Sequence, residues 1–154
     1  MLVAVSDSGA GIPTIVGVRN PRGVVPGSGA VDTDSDGVLR NLLYAQVHLQ
    51  TFAIRAAEIA RGRPIPAAQV PGNHAWIDFD GPPGTYRTYS MAKVLDGRVT
   101  SSAFADKVVL VGATAPIAKD VFVTSASSRP MSGVQVEANS IETALRGFPL
   151  RSSA

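Results

Sequence analysis

Two sets of aspartates carry most of the chemistry this sequence can offer. Asp32, Asp34 and Asp36, followed by Gly37, occupy the first, third, fifth and sixth positions of a calcium loop of the EF-hand kind, where oxygen ligands and a sharply turning glycine are needed. The twelfth position must supply a bidentate Glu, but here it is Leu43, and no helix precedes Asp32. The segment therefore reads as a solvated hairpin turn, for which Asp and Gly are the required residues. Asp78, Asp80 and Asp120 form the second set, each at or just beyond the end of an apolar run. Paired carboxylates can do general acid and base work where their surroundings separate their pKa values, and they can also bind a cation.

Other catalytic arrangements are missing. The chain has no cysteine, which excludes disulfides, thiolate zinc sites and cysteine nucleophiles. His48 and His74 are isolated, one on a half-exposed strand and the other in a turn of the form Pro71-Gly-Asn-His. No Gly-x-Ser-x-Gly elbow is present. Gly112-Ala-Thr-Ala115 follows an apolar run but is not succeeded by Gly-Lys-Ser/Thr, so it is not a phosphate-binding loop. Two readings of it stay open: close backbone packing at Gly112, or the lip of a ligand site with Thr114 as a hydrogen-bond donor. No cofactor and no metal are expected.

The elements that must position these residues come from a chain of 154 residues, 45% hydrophobic, with a net charge of +2. That is one domain long enough to bury a core, and its scattered Lys and Arg argue against nucleic acid as a partner. Ile12 to Val18 is expected as a strand, Asn20 to Gly29 as a loop, and Val38 to Leu49, with its strict alternation, as a second strand. Thr51 is expected to cap a helix of Phe52 to Arg61 that stops at Gly62 and Pro64. Ala75 to Phe79 reads as a strand, Ser90 as the cap of a short helix through Leu95, and Lys107 to Val111 as a central strand covered on both faces. Ser132 and Gln135 have capping-box spacing, and Val134, Ala138, Ile141 and Leu145 form the apolar stripe of a last helix ending at Arg146-Gly147. The order predicts an α/β single domain, a mixed β-sheet with packed helices. No apolar run is long enough to be a signal peptide or a membrane span.

Several of these segments, in this order, resemble the CHASE2 domains. They are the Asp34-Ser-Asp-Gly-Val-Leu-Arg40 turn, Phe79-Asp-Gly-Pro-Pro-Gly-Thr-Tyr86, Tyr89-Ser-Met-Ala-Lys-Val-Leu-Asp-Gly97, Lys107 to Gly112, Asp120, Gly133-Val134 and the last helix. The match begins near Asp32 and departs from the family after Asp120, where Thr-Pro is replaced by Val121-Phe122. The resemblance implies an extracytoplasmic sensor domain spanning 1–154, excised from a membrane-anchored bacterial receptor whose output is an adenylate or guanylate cyclase, a histidine kinase or a Ser/Thr kinase. It also implies that the anchor and the later membrane spans belong to the parent protein, with Phe148-Pro-Leu-Arg151 marking the exit toward the membrane.

On that reading the domain itself is not an enzyme. Strand-end logic places Asp78, Asp80, Gly112, Thr114 and Asp120 around one crevice for an unknown small-molecule ligand, polar or cationic, and the chain is a possible homodimer. A structural dimerisation module without ligand, and a small hydrolase-like enzyme using the same aspartates, are the rival readings.

Overall fold

The computed structural model describes residues 25–114 and 120–151, together with the backbone of 2–5. Strand β1 (Leu2–Val5) runs parallel to β2 (Val25–Ser28). The second half of the expected Asn20–Gly29 loop is thus a strand, while the expected Ile12–Val18 strand lies outside the described residues. At Gly27 a Cβ would stand 2.8 Å from Phe52 Cα, so glycine is what lets this strand lie against the start of the following helix.

Val38 to Leu49 does not form one strand. It is divided into β3 (Val38–Leu39), β4 (Asn41–Leu43) and β5 (Ala45–Gln46), and β5 turns through Val47 and His48 into β6 (Leu49–Gln50). Each piece has its own partner. β3 joins a three-stranded sheet, β4 pairs with β7 (His74–Trp76), and β5 pairs with β6. The alternation of apolar residues is real, but the backbone changes partner at Arg40, whose carbonyl accepts from Ile77 at 2.8 Å, and again at Tyr44, whose N–H donates to the Asn73 carbonyl at 2.9 Å.

Helix α1 (Phe52–Arg61) follows Thr51 as expected and ends at Gly62, whose φ of 65° is the left-handed conformation that favours glycine. The Thr51 hydroxyl does not cap it. It donates to the Leu43 carbonyl at 2.6 Å and so fastens the helix start to β4. Glu58 fastens the other end by accepting from the Ile65 N–H at 2.9 Å, from Gln50 at 3.0 Å and from Arg55 at 3.1 Å. Burial alone would raise its pKa, but these bonds outweigh that effect and hold it below the ordinary carboxylate value.

The short helix α2 (Met91–Leu95) forms where expected. Lys107 to Val111, expected as the central strand, does not form one. Val108, Val109 and Val111 are 47%, 50% and 74% exposed, and Leu110 alone packs against the core. The centre of the three-stranded sheet is instead β8 (Val121–Thr124), parallel to β3 and antiparallel to β9 (Ser127–Ser132). A short apolar run shows that a segment can be buried but does not say which partner will bury it.

The last helix, α3 (Gly133–Leu145), packs directly on α1. Ala53, Ile54, Ala56 and Ala57 of α1 are buried in one core cluster with Leu39, Leu42, Ile65, Ile77, Met131, Val136, Ile141 and Phe148. The buried face of α3 is turned relative to the expected stripe. Val134, Ala138 and Leu145 are only half-buried, whereas Val136, Asn139, Ser140, Thr143 and Ala144 are buried along with Ile141. The molecule is therefore a mixed α/β domain with small sheets and packed helices, as its sequence predicts.

Candidate functional site

The residues singled out by sequence gather at the two ends of α3, and its 13 residues span about 20 Å at 1.5 Å per residue. Asp78 and Asp80 meet at the C-terminal end. Strand β7 stops at Trp76, the Ile77 N–H still donates to the Arg40 carbonyl, and the Asp78 and Asp80 N–H groups then pass to side chains of α3. The Asp78 N–H donates to Thr143 Oγ1 at 2.9 Å and the Asp80 N–H to Asn139 Oδ1 at 3.0 Å. Alternate backbone amides of an extended segment point the same way, which suits acceptors spaced one helical turn apart on α3.

Both carboxylates then close on one guanidinium. Arg146, just past the end of α3, reaches Asp80 Oδ1 with Nη2 at 2.7 Å, Asp78 Oδ2 with Nη1 at 3.2 Å and Glu142 with Nε at 3.1 Å. A cation at a helix C-terminus also suits the macrodipole. The Tyr86 hydroxyl donates to the other oxygen of Asp80 at 2.7 Å. Tyr86, and after it Arg146, hold the Asp80 carboxyl below its ordinary pKa against the opposing effect of burial. Burial and the Asp80 charge push the Tyr86 hydroxyl well above its own. Asp80 is thus fixed as an anion at neutral pH.

Gly112 and Asp120 lie at the other end. A Cβ on Gly112 would come within 2.7 Å of Val134 Cβ, so this glycine is where the 107–114 segment passes close to the first turn of α3. The Asp120 carbonyl accepts from the Gly133 N–H at 2.9 Å. The Asp120 carboxylate overlies Gly133 so closely that a Cβ there would collide with both oxygens. The capping box of Ser132 and Gln135 is not formed, and Asp120 occupies the space over the helix start. Thr114 is exposed, two residues beyond Gly112.

One turn into α3, half-buried Glu137 shares this end with Asp120. Burial, and secondarily the Asp120 charge, push its carboxyl up to about 7. Among the described residues neither Asp120 nor Glu137 has a cation in ion-pair contact.

Sequence reading did not find Arg146, Tyr86, Asn139 and Thr143. Asn139 and Thr143 are four apart and so lie on one face of the helix, but Gln135, Glu137, Ser140 and Glu142 are polar as well, and no sequence signal sets the pair apart. The Asp32–Gly37 segment is the turn expected of it. Gly37 has φ 77°, the Asp36 carboxylate accepts from the Val38 N–H at 3.0 Å, and Arg40 binds Asp34 and Asp36 at 2.6 and 2.7 Å. Arg40 first, and then the Val38 N–H, bring the Asp36 pKa down to about 2. Among the described residues no group of three His, Cys, Asp or Glu is placed to hold a metal ion.

The fold and the polar fastenings at both ends of α3 define a small α/β module in which one helix is gripped by two separate segments. The chain belongs to the CHASE2 family: the family model, described as CHASE2 domain, matches residues 5–153, nearly the whole sequence. CHASE2 domains are extracellular sensory domains. No curated protein and no solved structure matches the chain. Among the described residues no helix is long and apolar enough to cross a membrane.

Proposed function

We propose that the chain is the extracytoplasmic sensory domain of a bacterial transmembrane receptor with a cyclase or kinase output, and that it binds a small polar or cationic ligand without transforming it. Asp120 and Thr114, with Gly112 permitting close approach, are the ligand contacts in this reading. Asp78 and Asp80 act as a latch that holds the far end of α3 through Arg146. The observation that carries the proposal is the contrast between the two ends. Asp78 and Asp80 already have Arg146, whereas Asp120 and the neighbouring Glu137, whose pKa lies at about 7, face no described cation. A positive group placed there would lower the free energy of two carboxylates at once, and it would act on the first turn of the helix that the latch holds at its end. Signal transfer then requires only that the ligand bind one arrangement of α3 better than another.

Tyr86 and Arg146 hold Asp80 as an anion, so Asp80 itself does not serve as a general acid in the hydrolase reading. A structural dimerisation module is the second reading, and it draws support from the exposed Val121 and Val123 on one face of β8. Sedimentation analysis across a concentration range tests it directly.

The test of the first reading is a thermal-shift screen of small amines, amino acids and neutral polar metabolites, since a compound that binds only the folded state raises its stability. A compound that shifts the wild type but not Asp120→Asn supports the reading, and a shift unchanged by Asp120→Asn overturns the site. The gene offers a second check. The proposal expects coding sequence for a span of about twenty apolar residues beyond Ala154, followed by the output domain.

A further inference from the structure

A concavity of about 440 Å³ is lined by Arg87, Arg98 and Lys107 together with Tyr89, Thr100 and Ser102. Its volume is within the range of sites for small molecules, about 300–1,000 Å³, and its chemistry is opposite to that of the aspartates. Three cations face one space. Among the described residues Arg87 and Lys107 form no ion pair, and Arg98 has only a 3.7 Å contact with Asp96, both side chains being mostly exposed. Such a pair contributes little. Mutual repulsion of three like charges is unfavourable and is relieved by an anion.

The walls are arranged to hold one. The Arg87 guanidinium lies 5.6 Å from the centre of the Tyr89 ring, and Tyr89 packs edge-on against Phe104 at 5.5 Å, so this cation rests on a supported aromatic face with its edge available for hydrogen bonding. Lys107 Nζ gives one hydrogen to the Ala103 carbonyl at 2.9 Å and has two left. The Thr100 and Ser102 hydroxyls are 2.9 Å apart, so one hydrogen satisfies both oxygens and the other is free to donate outward.

We infer that this basin binds a small oxyanion bearing two or more negative charges, a di- or tricarboxylate or a phosphate ester, independently of any ligand at Asp120. Two planar forks and an ammonium suit a ligand with at least two carboxylate or phosphate groups, and a singly charged anion would leave a cation unanswered. The anionic group of a soluble metabolite and that of a lipid headgroup share this chemistry.

The test is calorimetric titration of the whole chain with pyrophosphate and with citrate at low ionic strength, beside co-sedimentation with vesicles of neutral phosphatidylcholine and of phosphatidylcholine mixed with phosphatidic acid, whose phosphomonoester can carry a second negative charge. Binding of pyrophosphate or citrate identifies a soluble oxyanion. Binding only to the anionic vesicles identifies the headgroup as the source. Arg87→Ala, Arg98→Ala and Lys107→Ala should each weaken binding by about tenfold, the value of one charge-assisted hydrogen bond. Asp96→Asn, which frees Arg98, should strengthen it. All four positions are exposed, so the variants should keep the wild-type urea midpoint. No binding of any of these probes, or binding unchanged by the three alanine variants and by Asp96→Asn, overturns the inference.

Discussion

Thr143→Val isolates the polar fastening between the 77–80 segment and α3. Thr143 is fully buried, and its hydroxyl both accepts from the Asp78 N–H at 2.9 Å and donates to the Asn139 carbonyl at 2.8 Å. Valine keeps the volume and the branching but removes the acceptor. The Asn139 carbonyl remains available to the helix ladder, so the loss falls on the Asp78 N–H. Leaving a donor of this kind unpaired costs about 1–3 kcal/mol, and for a domain of this size each kcal/mol lowers Tm by about 2–4 °C. Thr143→Ser keeps the hydroxyl and loses one methyl group, at a cost of about 1 kcal/mol. Urea unfolding at pH 7 is the assay, with the slope of the transition unchanged between variants, and hydrogen exchange at the Asp78 amide reports the bond itself. Valine should be the more damaging of the two, with faster exchange at Asp78. A wild-type midpoint for Thr143→Val, or greater damage from serine than from valine, would refute the claim that α3 side chains take over from the β7 ladder.

Three further outcomes are expected. Ile141→Ala should destabilise by about 2–5 kcal/mol through a core cavity, with loss of urea midpoint as the readout. Gly112→Ala, whose Cβ would come within 2.7 Å of Val134 Cβ, should cost about 1–3 kcal/mol by overpacking, read as a loss of urea midpoint. The pH dependence has two parts. The Asp80 pKa is lowered, so its contribution is present above the unfolded carboxylate pKa and disappears as pH falls through the folded value, an acid limb that Tyr86→Phe should weaken. The Glu137 pKa is raised to about 7, so its contribution is full below the unfolded value of about 4.3 and is lost as pH rises to 7. Glu137→Gln should remove that loss, which urea midpoints at pH 5 and pH 8 will show.

Local signals with a single physical cause were legible in the sequence. The left-handed stop at Gly62, the Asp34–Gly37 turn and the existence of α1 and α3 follow from turn chemistry and a 3.6-residue period, whereas the side-chain caps expected at Thr51, Ser90 and Ser132 do not form. Choices between partners were not legible. Lys107 to Val111 and Val121 to Thr124 are both β-branched and apolar, and only the fold decides that the second takes the centre of the sheet beside β3. The apolar stripe of Val134, Ala138, Ile141 and Leu145 does not coincide with the buried face of α3, which takes in the polar Asn139, Ser140 and Thr143. Two of them, Asn139 and Thr143, are buried because they accept the Asp80 and Asp78 amides, and Ser140 is buried beside them. The pairing of Asp78 with Asp80 follows from their spacing along an extended segment. Their common guanidinium does not, because Arg146 is 66 residues beyond Asp80 in sequence.

The central claim is that a ligand entering beside Asp120 acts on α3. Amide hydrogen exchange, measured with and without the compound that gives the largest thermal shift, tests it most directly. The account predicts altered protection at residues 112–114 and in the first turn of α3 around Gly133 to Glu137, with a smaller change at Asp78 and Asp80, and none of these changes in Asp120→Asn. Altered protection confined to other segments, or an identical response in Asp120→Asn, would contradict it.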